Sequence, residues 1–212
     1  FIRFGFLKSN RIGHFAINTE LYLCEKKNKV EKGKVFDFFY LKQPVSNRQL
    51  LKMWKHEKLK IYQIFKYIGM ANRMLPGGKS HHLTLPGQFD SPDLFSKNGS
   101  SLYFTDTEKR KGMRFLESFN HLENGRFVCF LGRDPAYFRN FERNTKRLES
   151  SIHNYRNSDI ENFVLAMKKL SKKGYYVFRM GSLVQKSLDI HNNKIIDYAT
   201  NGMRTDFLDI FL

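Results

Sequence analysis

RFVCFL (126–131) followed at once by Gly132, Arg133 and Asp134 is the stretch on which the fold turns. Its apolar and aromatic residues run without a polar interruption, the signature of a strand in a parallel sheet covered on both faces, and the Gly-Arg-Asp that ends it is a loop. Downstream, Ser158 with Glu161 three residues on reads as a capping box opening a helix that Lys172, Lys173 and Gly174 close. YYVFRM (175–180) is then a second strand, KIIDY (194–198) a short third, and a further helix starts near Arg204 or Thr205. Strand and helix alternating at this spacing predict βαβ units and a parallel sheet.

The same pattern stands upstream. IRFGFL (2–7) is a strand, RIGHFAINTELYLCEKK a helix, VFDFFYL (35–41) a second strand, and Ser46 or Asn47 caps a helix bearing Leu50, Leu51 and Trp54. Residues 76–101 are rich in Pro, Gly, Ser and Asp and are expected to be loop. A helix over Thr107–Phe119, capped by Thr105 or Asp106 and ended by Asn124 and Gly125, links the two series. The expectation is an α/β chain of two Rossmann-like domains with parallel sheets, 1–122 including that linker helix and 123–212. The second is expected to be incomplete, because TDFLDIFL stops without a cap while Phe1 opens directly into a strand. An exposed apolar surface near Phe207, Ile210 and Phe211 would follow.

Composition narrows the partners. The 37 Lys and Arg against 20 Asp and Glu give a net charge of +17, so an anionic partner is expected. The clusters Lys26, Lys27, Lys29 and Lys168, Lys169, Lys172, Lys173 read first as solvated helix ends. No zinc-finger spacing or RNP-like strand accompanies them, which disfavours nucleic acid. Cys24 and Cys129 sit in apolar surroundings without a CxxC and read as core thiols of a reducing compartment. No apolar run is long enough to cross a bilayer. His81 and His82, with His121 or His153, have no ligand spacing and no Asp-x-Asp occurs, so no metal is expected.

YRNSDIENFVLAMKKLSKKGYYVFRMG (155–181) with KIIDYATNGMRTDFLDIFL (194–212), together with RIGHFAINTELYL and FVCFLGRDPAYF, resembles a family of bacterial glycosyltransferases found with surface-polysaccharide and lipopolysaccharide genes. The resemblance implies a GT-B architecture, distantly fucosyltransferase-like, with an acceptor-side N-terminal domain and a C-terminal domain that binds the nucleotide-sugar. It implies a cytoplasmic enzyme, peripheral on the inner membrane, whose acceptor is a glycan or a lipid-linked precursor. Nucleotide-sugar is its substrate, and no separate cofactor is implied. Family members continue past Asp206 into a Ser/Thr/Gly-rich segment, so this chain is expected to be a C-terminally shortened piece.

Candidate site residues follow from strand ends, where open α/β sheets bind ligands. Gly13 and His14 come after the first strand: glycine admits close backbone approach, and an imidazole can take a proton from an acceptor hydroxyl. His14 is the candidate base, and Glu20, read mainly as a solvated helix charge, is held in reserve. Gly132 and Arg133 follow RFVCFL, where a guanidinium can grip a diphosphate with paired bonds and offset charge on the leaving nucleotide. In the related His-x-Arg motif of fucosyltransferase-like enzymes the Arg meets the donor diphosphate; here Leu131 stands in place of that His. Arg179 and Gly181 repeat the arrangement after the next strand, Arg179 reaching the same phosphate or bracing the loop. Arg204 and Asp206 are supporting candidates, and Asp159 is read as structural. The expected activity is metal-independent sugar transfer; the rival is a noncatalytic basic protein on an anionic membrane surface or nucleic acid.

Overall fold

The computed structural model describes residues 1–28, 33–87, 93–119, 122, 125–136, 139 and 155–212. The chain divides into two compact units, Phe1–Thr105 and Asp106–Leu212, each built on its own parallel sheet. The strands 2–7 and 127–131 therefore belong to different sheets, as two α/β domains require.

In the first unit β1 (Ile2–Leu7) and β2 (Phe36–Leu41) form the centre of a four-stranded sheet, flanked by the two-residue strands β3 (Lys60–Ile61) and β4 (His82–Leu83) in the order β3-β2-β1-β4. All pairs are parallel, with Gly5 opposite Phe39 and Leu7 opposite Leu41. Strand alternation sends Leu7 and Phe39 to one face, where α1 (Ile12–Asn28) and α2 (Arg48–His56) bury Phe15, Tyr22, Leu50 and Trp54 against them. The Trp54 indole donates to the Phe15 carbonyl at 3.2 Å. Asn47 caps α2 by accepting from the Leu50 amide at 2.8 Å, so of the two expected caps it is Asn47 that serves. On the other face α3 (Ile64–Arg73) lays Phe65 on Phe38, 4.5 Å between ring centroids, and Gly69 on Phe4. The expected 76–101 loop contains a 3₁₀ turn (Gly78–His81), β4 and the short helix α4 (Asp93–Asn98).

In the second unit β5 (Phe127–Leu131), β6 (Tyr176–Met180) and β7 (Ile195–Ile196) pair in parallel in that order. β6 is central and buried. β5 was expected to be buried on both faces but is an edge strand of this sheet, half-buried along its length and with Leu131 73% exposed. α5 (Asp106–Glu117) opens where expected, but it belongs to this unit and not to the first. The reason is aromatic packing, because Phe115 and Phe119 cover Phe178 while Phe119 also meets Tyr176. On the opposite face α6 (Val164–Lys172) buries Met167 against Val177, Ile160 and Ile195. Gly174, at φ 90°, ends it as the sequence predicts.

Two expectations about helix ends are corrected. α6 is not entered through a Ser158 capping box. Asp159 accepts from the Glu161 amide at 3.0 Å and opens a 3₁₀ turn (Ile160–Phe163), whereas the Ser158 amide is spent on the Arg133 carbonyl at 3.0 Å. The last helix, α7 (Leu208–Phe211), starts later than expected, with Thr205 Oγ1 accepting from the Leu208 amide at 3.1 Å. Nor is its apolar face left open: Phe207 is 6% exposed, and the Phe211 ring fills the space above Gly112 of α5, where a Cβ would come within 2.1 Å of it. Cys24 is buried as expected, while Cys129 is half-buried, its thiol 3.6 Å from the Leu212 carbonyl. Lys29, His121, Asn124 and His153 lie outside the described residues.

Candidate functional site

At the carboxyl ends of β1 and β2 the loops are tied to each other. Ser9, fully buried, donates from its hydroxyl to the Lys42 carbonyl at 2.6 Å, and its own carbonyl accepts from the Ser46 amide at 2.7 Å. This knot fixes where α1 begins, and His14 stands in the first turn of that helix, half-buried. Apart from its chain neighbours and its own helix backbone, no described residue comes within 4 Å of a Cβ built on Gly13, so packing gives no reason for glycine there.

One turn beyond His14, Asn18 is 2% exposed and donates from Nδ2 to the Pro86 carbonyl at 2.7 Å, in the loop after β4. That bond fixes the amide orientation and turns Oδ1 toward His14 Nδ1, 3.3 Å away. A carboxamide oxygen only accepts, so His14 donates from Nδ1. In the neutral imidazole this arrangement selects the tautomer with its hydrogen on Nδ1 and leaves Nε2 as the outer nitrogen. Sequence reasoning missed Asn18; the i, i+4 spacing on one helix was the available signal.

Glu20 is not the solvated charge expected. It is 6% exposed, accepts from the Ser101 amide at 2.7 Å and has the Cys24 thiol 4.0 Å away, so it anchors the end of the unit.

In the second unit the carboxyl ends of β5 and β6 converge on a cleft of about 190 Å³ lined by Asp134, Pro135, Asn157, Ser158, Asp159, Ile160, Gln185 and Lys186. Gly132 and half-buried Arg133 lead into it from β5, the Arg133 carbonyl being held by the Ser158 amide. Asp134 accepts from the Ala136 amide at 2.7 Å and the Gln185 amide at 2.8 Å, so it clamps the loop after β5 to the loop after β6. Lys186 bridges Asp159 and Glu161 at 3.3 and 3.4 Å. The Asp159 carboxyl is held below its usual range, first by the Glu161 amide and then by Lys186.

Arg179 takes the second of the two roles foreseen for it. Only 2% exposed, it donates to Asp197 Oδ1 at 3.0 Å and to the Lys186 carbonyl at 3.2 Å, and its buried Nε has no hydrogen-bond partner among the described residues. Asp197 also accepts from the Leu188 amide and the Thr200 hydroxyl. The pair therefore braces the loop that carries Gln185 and Lys186. Gly181 sits at φ 156°, and a Cβ there would meet Val184 at 2.7 Å.

Arg204 bonds Asp209 at 2.6 Å and lies 3.6 Å from Asp206, while Asp209 also accepts from the buried Tyr198 hydroxyl at 3.0 Å. Burial pushes both the Tyr198 and the Asp209 groups up. Arg204 thus supports the start of α7, away from the 190 Å³ cleft.

Gly132, Arg133 and Gly181 accordingly share one sheet edge, with Arg179 beneath it, and His14 occupies the corresponding edge of the other unit. Among the described residues no group of three or more His, Cys, Asp and Glu is placed to hold a metal, and no helix is long and apolar enough to cross a membrane. No family model, curated protein or solved structure matches the chain.

Proposed function

We propose that the chain transfers a sugar from a nucleotide-sugar to a hydroxyl of a surface glycan or its lipid-linked precursor, in the manner of a GT-B enzyme working at the cytoplasmic face. The observation that carries this reading is the cleft at the carboxyl ends of β5 and β6, where parallel α/β sheets receive nucleotides, with Arg133 next in the chain to its lining residue Asp134 and a loop braced by Arg179 and Asp197 carrying Gln185 and Lys186 of its wall.

Arg133 is assigned to the donor diphosphate, where a guanidinium offsets the charge that grows on the leaving nucleotide as the glycosidic bond breaks. Ser158 and the backbone after Gly132 supply neutral contacts. His14 is the base: Nε2 takes the proton of the acceptor hydroxyl while Asn18 holds the imidazole tautomer through Nδ1. Arg179 is a positioning residue for the cleft wall, and no role in the reaction is assigned to Glu20, Arg204 or Asp206.

The test is titration calorimetry with UDP, GDP and their sugar conjugates, followed by transfer assays. Arg133→Ala should weaken nucleoside diphosphate and nucleotide-sugar together by roughly ten- to a hundredfold, the value of a charge-assisted contact. His14→Ala should leave that binding unchanged and lower turnover by about a hundredfold or more, with Asn18→Ala in between. Wild-type affinity for nucleotides in Arg133→Ala would end the diphosphate assignment.

A further inference from the structure

The outer face of α3 is apolar and uncovered. Phe65 and Gly69 hold the helix to the sheet, yet Ile64, Tyr67, Ile68 and Met70 are 57%, 63%, 44% and 55% exposed, and just past the helix Met74 and Leu75 reach 87% and 62%. From Ile64 the offsets of Tyr67 and Ile68 are those of a single helical stripe, and the exposed Met74 and Leu75 follow directly where the helix ends. A contiguous apolar ridge of this kind on a chain with a net charge of +17 marks a surface that meets something.

Its surroundings name the chemistry. From Lys58 to Gly87 the chain carries Lys58, Lys60, Lys66, Arg73 and Lys79 and not one Asp or Glu. A protein partner of mixed charge gives no reason for so one-sided a stretch, whereas an anionic bilayer does: headgroups take the cations while the apolar side chains enter the acyl boundary. Tyr62, 62% exposed, and Tyr67 suit that boundary, being apolar in the ring and polar at the tip. Lys66, its ammonium 5.7 Å over the Tyr67 ring, is exposed at the margin of the stripe. We infer that α3, with Met74 and Leu75 beyond its end, is a preformed interfacial anchor that docks the first unit on an anionic lipid surface. The lysine cluster of α6 has a single large exposed apolar neighbour on its own helix, Leu165, whereas this ridge offers several. The inference is independent of the sugar-transfer reading, because it uses no residue of either candidate site.

The experiment is flotation of the whole chain with phosphatidylcholine vesicles, with and without about a third phosphatidylglycerol. Binding is expected only to the anionic vesicles and should weaken with salt. Ile68→Glu with Met74→Glu should lower it at least tenfold, and Lys66→Glu with Lys79→Glu by a similar factor, whereas Lys168→Glu with Lys172→Glu on α6 should change it less than twofold. All six positions are exposed, and unchanged thermal melting confirms that each variant is folded. Three results would overturn the inference: no binding of the wild type to anionic vesicles, undiminished binding by the α3 variants, or a wild-type dimer that those variants split while vesicle binding is unaltered, which would assign the ridge to a second copy of the chain.

Discussion

Asp37 gathers Arg3 at 2.6 Å, Lys26 at 2.8 Å and the Tyr22 hydroxyl at 2.6 Å around a side chain only 1% exposed. Burial by itself would raise this carboxyl, but the hydrogen bonds from Arg3, Lys26 and Tyr22 outweigh it and hold the group at about 2. A depressed carboxylate contributes stability that is complete above the unfolded value near 4 and is lost as the pH falls toward 2. Asp37→Asn should therefore be about 2 kcal/mol less stable than wild type at neutral pH, with the gap closing between about pH 4 and pH 2. Urea unfolding across that range checks it; a gap independent of pH would show that packing and not ionisation is at stake. The sequence displayed Asp37 within an aromatic strand but gave no sign of its three partners, which come from β1 and from two successive turns of α1. His14 shows the same limit, since its position after a strand was legible whereas the Asn18–Pro86 bond that selects its tautomer spans 68 residues.

At the scale of elements, the Pro-Gly-Gly turn after α3 has a sharper requirement than its composition suggests. Gly77 sits at φ 76°, and a Cβ on Gly78 would fall 1.8 Å from the Asn72 carbonyl oxygen, a backbone atom of α3 itself. The turn is closed by the Gly78 amide on the Leu75 carbonyl at 3.0 Å and by Asn72 Nδ2 on the Gly78 carbonyl at 3.0 Å. Gly78→Ala should cost roughly 1–3 kcal/mol, because the obstructing atom is backbone and cannot rotate aside. Gly99→Ala has open space but a φ of 65°, so it should cost about 1 kcal/mol from conformation alone. Chemical denaturation of the two variants separates them, and equal losses would mean that the close approach at Gly78 relaxes freely. Periodicity identified α1, α2, α5, α6 and the strands β1, β2, β5, β6 and β7, whereas the two-residue strands β3 and β4 are too short to carry a period and went unread, as did α3. For α3 the stripe points outward, and only the position of the sheet reveals that.

For the whole molecule, the division at Thr105–Asp106 makes α5 part of the second unit. A chain of residues 106–212 should show a cooperative thermal transition, and one of residues 123–212 should not, because Phe178 then loses Phe115 and Phe119 and Phe211 loses its seat on Gly112. Circular dichroism distinguishes the outcomes; cooperative melting of the shorter piece would return α5 to the first unit. By itself the sequence determined the alternation of strand and helix, from which the parallel sense of both sheets follows, the place of the α2 cap at Ser46 or Asn47 and the glycine that ends α6 at Gly174, because each is signalled by residues within a few positions of one another. Tertiary structure decided that Glu20 serves Ser101, that Arg179 serves Asp197, that β5 is an edge and that α5 belongs to the second sheet. The physical reason is that burial and partner choice are set by groups far apart in the chain: periodicity declares that a face is apolar or a residue charged, and only the packed fold brings up what covers it or neutralises it.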